Sequence, residues 1–136
     1  NSKSPNIYNI FFEIFSKSLN SFAFNLIALK YNQTNLELRE NKKAIKEIKE
    51  ILHEGDKILI DRKIKIYQSS KSRINQTLKS TAHTMSMLTN YKKNKQIEIV
   101  PIWRSLLNIS KNSNSQLKFT TKIYNDVVKK LDKKYL

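Results

Sequence analysis

Residues 6–31 read NIYNIFFEIFSKSLNSFAFNLIALKY, and the reading of this stretch decides the fold class. Its apolar residues are Ile7, Phe11, Ile14, Phe15, Leu19, Phe22, Ala23, Leu26, Ile27 and Leu29, spaced mostly by three and four. A strand alternates with a period of two, whereas this spacing follows the helical period, so it predicts a helix with a wide apolar face. Glu13, Ser16, Lys17, Ser18, Asn20, Ser21 and Asn25 interrupt the run, which therefore falls short of the roughly 18–20 apolar residues of a membrane span. Five of the six phenylalanines lie between Phe11 and Phe24. Core packing is the plain reading of that cluster, and a partner- or membrane-facing patch is the alternative.

Working outward, residues 1–5 read as a flexible lead-in, with Pro5 placed near a helix start. Asn32-Gln33-Thr34-Asn35 breaks the periodicity, and Thr34 with Glu37 has capping-box spacing. The spacing predicts a helix over 36–54 with Leu36, Ala44, Ile45, Ile48, Ile51 and Leu52 as its stripe. Lys43–Glu47 and Lys46–Glu50 stand four apart along it and can pair on its surface. Gly55, the single glycine, follows at a position that suits a helix end with positive φ, and Asp56 can cap what comes next. The longest expected helix covers 57–91, through Leu59, Ile66, Ile74, Leu78, Ala82, Met85 and Leu88. Its start, Lys57 to Tyr67, also alternates like a strand, but no partner strand is near. Val100-Pro101 predicts a helix boundary, then a short apolar helix over 101–110 and a last amphipathic one over 115–134. The 136 residues suit one domain. Four or five amphipathic helices can bury their stripes only on one another, so the expected architecture is an all-α, up-and-down bundle.

Composition narrows the chemistry. One glycine and two prolines leave no glycine-rich phosphate loop, and the absence of cysteine removes disulfides, thiol catalysis and thiolate-bound zinc. His53 and His83 lie far apart, and neither has a metal ligand's spacing. After Asp61 the only acids are Glu98, Asp126 and Asp132, too sparse for a paired-carboxylate site. The expectation is therefore a protein that binds and does not catalyse, with no catalytic residue, no metal and no cofactor.

The net charge is +15, and arginine appears only at Arg39, Arg62, Arg73 and Arg104. A lysine-dominated excess favours diffuse attraction of polyanions over base reading, although Lys, Asn and Ile together supply 54 of the 136 residues, as biased codon usage would. The densest patch is Lys118, Lys122, Lys129, Lys130, Lys133 and Lys134, the candidate polyanion site; lysines at a helix C-terminus also complement its dipole. Phe11, Phe12, Phe15, Phe22 and Trp103 are the candidate interface residues, with core anchoring the competing reading for each. Asn32, Asn75 and Asn108 carry Asn-x-Ser/Thr triplets of the kind an Asn-rich chain produces by chance.

The Lys/Asn/Ile-rich, cysteine-free, helical character of the chain, beginning at Asn1-Ser2-Lys3-Ser4 after a plausible processing point, resembles the small plasmid-encoded exported and outer-surface proteins of Borrelia spirochaetes, including decorin-binding lipoproteins. The resemblance implies a secreted or surface location, with a leader removed. The expected partner is then a host protein (matrix or complement component) or a glycosaminoglycan, met by the basic helical surface. Two alternatives stand beside it: a cytoplasmic nucleic-acid binder driven by lysine, and a self-associating helical module or homo-oligomer.

Overall fold

The computed structural model describes residues 7–66, 68–79, 84–111, 113 and 115–136; the side chains of residues 7–9, 11 and 12 are outside that description. The described residues form seven α-helices: α1 (Ile7–Tyr31), α2 (Asn35–Arg39), α3 (Lys42–Asp61), α4 (Ser70–Leu78), α5 (Ser86–Lys92), α6 (Ile99–Ser110) and α7 (Lys118–Lys130), followed by a short 3-10 turn, Lys133–Tyr135. The all-α bundle expected from the periodicity is what forms. It is built of more and shorter helices than four or five.

α1 is its axis. From Phe22 to Leu29 every residue is buried, so this half of the helix is enclosed on all sides. α3, α5, α6 and α7 all pack on it, and α3 in turn carries α2, α4 and α7. α1 ends at Asn32, whose φ of 53° lets the Gln33 N–H reach back to the Ala28 carbonyl at 3.3 Å. Thr34 then starts α2 with the expected capping box: its hydroxyl accepts from Glu37 N–H, and the Glu37 carboxylate accepts from Thr34 N–H. Asn41 caps α3, and Ser69 caps α4, in the same local way.

Four sequence expectations change, the first being the helix over 36–54, which is interrupted at Glu40 and Asn41 between α2 and α3. Gly55 ends no helix: α3 runs through it to Asp61, and Asp56 lies inside the helix. The glycine is there because α1 comes close, and a Cβ at Gly55 would lie 2.1 Å from Leu19 Cδ2. The expected helix over 57–91 is divided among the end of α3, α4 and α5; threonines and serines dilute its stripe, and Ser69 caps α4. Pro101 sits in the first turn of α6, where a missing N–H costs nothing, so the helix begins at Ile99 and not after the proline. Pro5, the lead-in, Tyr67, Ala82 and His83 fall outside the described residues.

The far side of the bundle closes with aromatic stacking. Trp103 of α6 lies 5.5 Å from the Phe22 ring and 4.7 Å from the Tyr124 ring, centroid to centroid. There the core also holds Phe15, Leu106, Ile123 and Val127. α7 lacks a cap of its own; Glu54 of α3 supplies it, accepting from Phe119 N–H at 2.8 Å and from both the N–H and hydroxyl of Thr120 at 2.7 and 2.6 Å.

Candidate functional site

On α1 the polar residues Lys17, Asn20, Ser21 and Asn25 are spaced three, four and eight from the first, which places them along one side of the helix. That stripe forms the floor of a groove. Asn20, Ser21, Phe24 and Asn25 of α1 meet Asn35 of α2, Thr77 of α4, and Thr84, Met85 and Ser86 at the entry to α5. The groove encloses about 390 Å³, within the roughly 300–1,000 Å³ of small-molecule sites. Among the described residues no lining side chain is charged, and the polar groups they offer are amides and hydroxyls. The nearest cation along the stripe is Lys17, exposed and one turn before Asn20 and Ser21.

Asn25 holds the groove's shape. It is buried, its Nδ2 donates to the Ser21 carbonyl at 2.8 Å and to Ser21 Oγ at 3.3 Å, and its Oδ1 accepts from Met87 N–H at 3.0 Å. α5 has no side-chain cap of its own, so an asparagine sixty-two residues earlier fixes the groove's opposite wall. Asn20 differs: its Oδ1 is buried and has no hydrogen-bond partner among the described residues.

Beside the groove, α3 and α4 are stapled by ionisable groups. Arg73 Nη2 donates to both oxygens of Asp56 at 2.8 and 2.7 Å, and His53 Nε2 lies 3.0 Å from Ser70 Oγ. Burial raises the Asp56 carboxyl above its ordinary range despite the opposing pull of Arg73. Glu47 pairs across helices with Lys30 and Tyr31 of α1, and not along α3 with Lys43. Among the described residues no group of three His, Asp or Glu could hold a metal ion, and no helix is long and apolar enough to cross a membrane.

The residues singled out from the sequence lie elsewhere. Lys118, Lys122, Lys129, Lys130, Lys133 and Lys134 are all exposed on α7 and the 3-10 turn. That turn is tied down by Ile97 N–H on the Tyr135 carbonyl at 2.7 Å and by the edge-on Tyr91–Tyr135 contact. Phe15, Phe22 and Trp103 are sealed in the core and offer no surface; the side chains of Phe11 and Phe12 lie outside the described residues. The groove residues went unselected because Asn20, Ser21 and Asn25 read only as interruptions of an apolar run. Their recurrence on one helix face was the available signal.

Residues 9–131 match the family described as the C-terminal part of ketopantoate reductase, PanE/ApbA. The chain belongs to this family. Comparison with curated proteins and with solved structures gives no match. Membership in the PanE/ApbA C-terminal family overturns the resemblance to Borrelia exported or outer-surface proteins, and with it the exported lipoprotein engaging a host macromolecule. The alternatives of a lysine-driven nucleic-acid binder and a self-associating module have no support either. The expectation of a protein that binds and does not catalyse is likewise corrected, since the family is an enzyme-related one, that of a reductase. Richness in lysine and asparagine is shared by unrelated chains of similar codon usage, whereas the family match spans residues 9–131, so likeness of composition pointed to the wrong relatives.

Proposed function

We propose that this chain is the substrate-side helical domain of a ketopantoate-reductase-like oxidoreductase, and that the α1–α5 groove receives an α-keto acid. The observation that carries the reading is the polar stripe of α1, which lays two asparagines and a serine along a groove floor with a lysine at its end. An α-keto acid has a carboxylate and a carbonyl. Lys17 offers the carboxylate a charge-assisted hydrogen bond, and the neutral amides and hydroxyls offer the carbonyl donors without competing charge. Phe24 and Met85 give the carbon chain an apolar wall.

Reducing a ketone also consumes a hydride donor. The usual dinucleotide cradle is a glycine-rich turn opening a helix, and the one glycine here is packed against Leu19 within α3. The residues present do not fit such a donor, so this chain is assigned the substrate side alone.

Titrating the isotope-labelled chain with ketopantoate tests the assignment. Amide resonances over residues 17–28 and 84–88 should move, with a Kd of about 1 mM or tighter, and Lys17→Ala should weaken binding about tenfold. An unmoved groove at saturating ketopantoate, or shifts confined to the lysines of α7, would sink the reading.

A further inference from the structure

A second cavity, of about 460 Å³, lies between α2, α3 and α4 and shares no lining residue with the α1–α5 groove. On α4 its lining falls in two adjacent rows, because positions four apart share a helix face: Ile74 with Leu78, and Asn75 with Lys79. The first row is buried and the second exposed, so this wall is apolar below and polar above. The opposite wall repeats the order, with half-buried Ile45 of α3 and exposed Arg39 of α2. Arg39 ends a short helix fixed at its start by the Thr34–Glu37 capping box and followed by Asn41, whose Nδ2 donates to Gln33 Oε1 at 2.9 Å.

The cavity thus has a branched-aliphatic floor under a rim with a guanidinium on one side and an ammonium on the other. All eleven acids of the chain are among the described residues; none lines the cavity, and among the described residues neither Arg39 nor Lys79 belongs to an ion pair. Exposed cations alone are ordinary solvated surface. What sets this pair apart is the apolar floor between them, which asks for a hydrocarbon chain where the rim asks for negative charge. The chain gains by leaving water, and the guanidinium fork fits the two oxygens of a carboxylate. A cationic ligand would meet two like charges, and a small inorganic anion would leave the floor uncovered.

We propose that this cavity binds an aliphatic carboxylate, with its head between Arg39 and Lys79 and its chain on Ile45, Ile74 and Leu78. Because the two cavities share no residue, the assignment holds whether or not the groove takes an α-keto acid.

Titrating the labelled chain with octanoate, octan-1-ol and butyrate separates floor from rim. Octanoate should move amide resonances over residues 39–45 and 74–79. Butyrate, four methylenes shorter at about threefold each, should bind more than tenfold more weakly. Octan-1-ol keeps the chain and lacks the charge, and should bind about tenfold more weakly than octanoate. Arg39→Gln with Lys79→Gln should reduce octanoate to the affinity of octan-1-ol and leave octan-1-ol unchanged. Both side chains are exposed, so the double variant should fold as the parent does, and its amide spectrum checks this. Resonances over 39–45 and 74–79 that stay unmoved by octanoate, or shifts confined to residues 17–28 and 84–88, overturn the site. Equal affinity for octanoate and octan-1-ol, or undiminished octanoate binding by the folded double variant, overturns the role of the two cations and the carboxylate assignment with it.

Discussion

The two sides of α1 contrast in how they use the same helix. Toward α6 and α7 it presents Phe22, which stacks with Trp103, which in turn stacks with Tyr124, in a closed core. Toward α4 and α5 it presents Asn20, Ser21 and Asn25 under an open groove. The closed side supplies burial of apolar area, the main stabilising contribution in folding. The open side keeps amide and hydroxyl groups along the floor of a groove. Placing both on one rigid helix fixes the groove's floor by the packing behind it, which is how a binding site is held in geometry without its own contacts doing so.

The contrast can be broken hardest from the closed side. Trp103→Ala should destabilise the chain by about 3–5 kcal/mol, read as a lowered urea midpoint, because it removes the ring between Phe22 and Tyr124. A loss below about 1 kcal/mol would mean the stack is not the core's anchor. Next comes the cap delivered from afar. Glu54→Ala leaves two N–H groups and a hydroxyl of α7 without their carboxylate and should cost about 2–3 kcal/mol, with Glu54→Gln milder, since one acceptor oxygen remains. Gly55→Ala should cost about 1–2 kcal/mol net, the overpacking against Leu19 exceeding the helical gain of alanine. A stabilised Gly55→Ala chain would show that α1 and α3 are not in close approach.

On the open side stability should hardly respond: Asn20→Ala should stay within about 0.5 kcal/mol of the parent, since its side-chain oxygen gives up no hydrogen bond. A large loss would make Asn20 a packing residue and erase the contrast. The smallest effect is spectroscopic. Burial, then the hydrogen bond to Glu47 and its charge, push the Tyr31 phenol from 10.0 up to about 12. A raised folded pKa means that Tyr31's contribution to stability is full below pH 10 and is lost as pH rises through about 12. In an alkaline absorbance titration Tyr31 should ionise late, and Glu47→Gln should bring it earlier. A Tyr31 that ionises with the exposed tyrosines would deny the α1–α3 junction its observed packing.

What could be read from the sequence was local. The Phe-rich period of α1, the Thr34–Glu37 capping box and the amphipathic stripes of α3 and α7 each lie within a few residues, and helical periodicity turns such spacing directly into a face. The site was half visible, because Asn20, Ser21 and Asn25 recur on one face of an apolar helix, but nothing local says whether such a face meets a neighbour, solvent or a ligand.

Sequence alone thus determined that the chain is all-α, that α1 carries a wide apolar face, and that Thr34 with Glu37 stands where a local capping box can form. Only the tertiary structure decided that Gly55 is a contact and not an end, that Glu54 caps α7 and Asn25 caps α5, and that Asn20 lines a groove. The physical reason is range. A cap supplied by its own segment costs only the ordering of a few residues, and spacing encodes it. One supplied from sixty residues away exists only once the helices have packed, and no spacing along the chain records that.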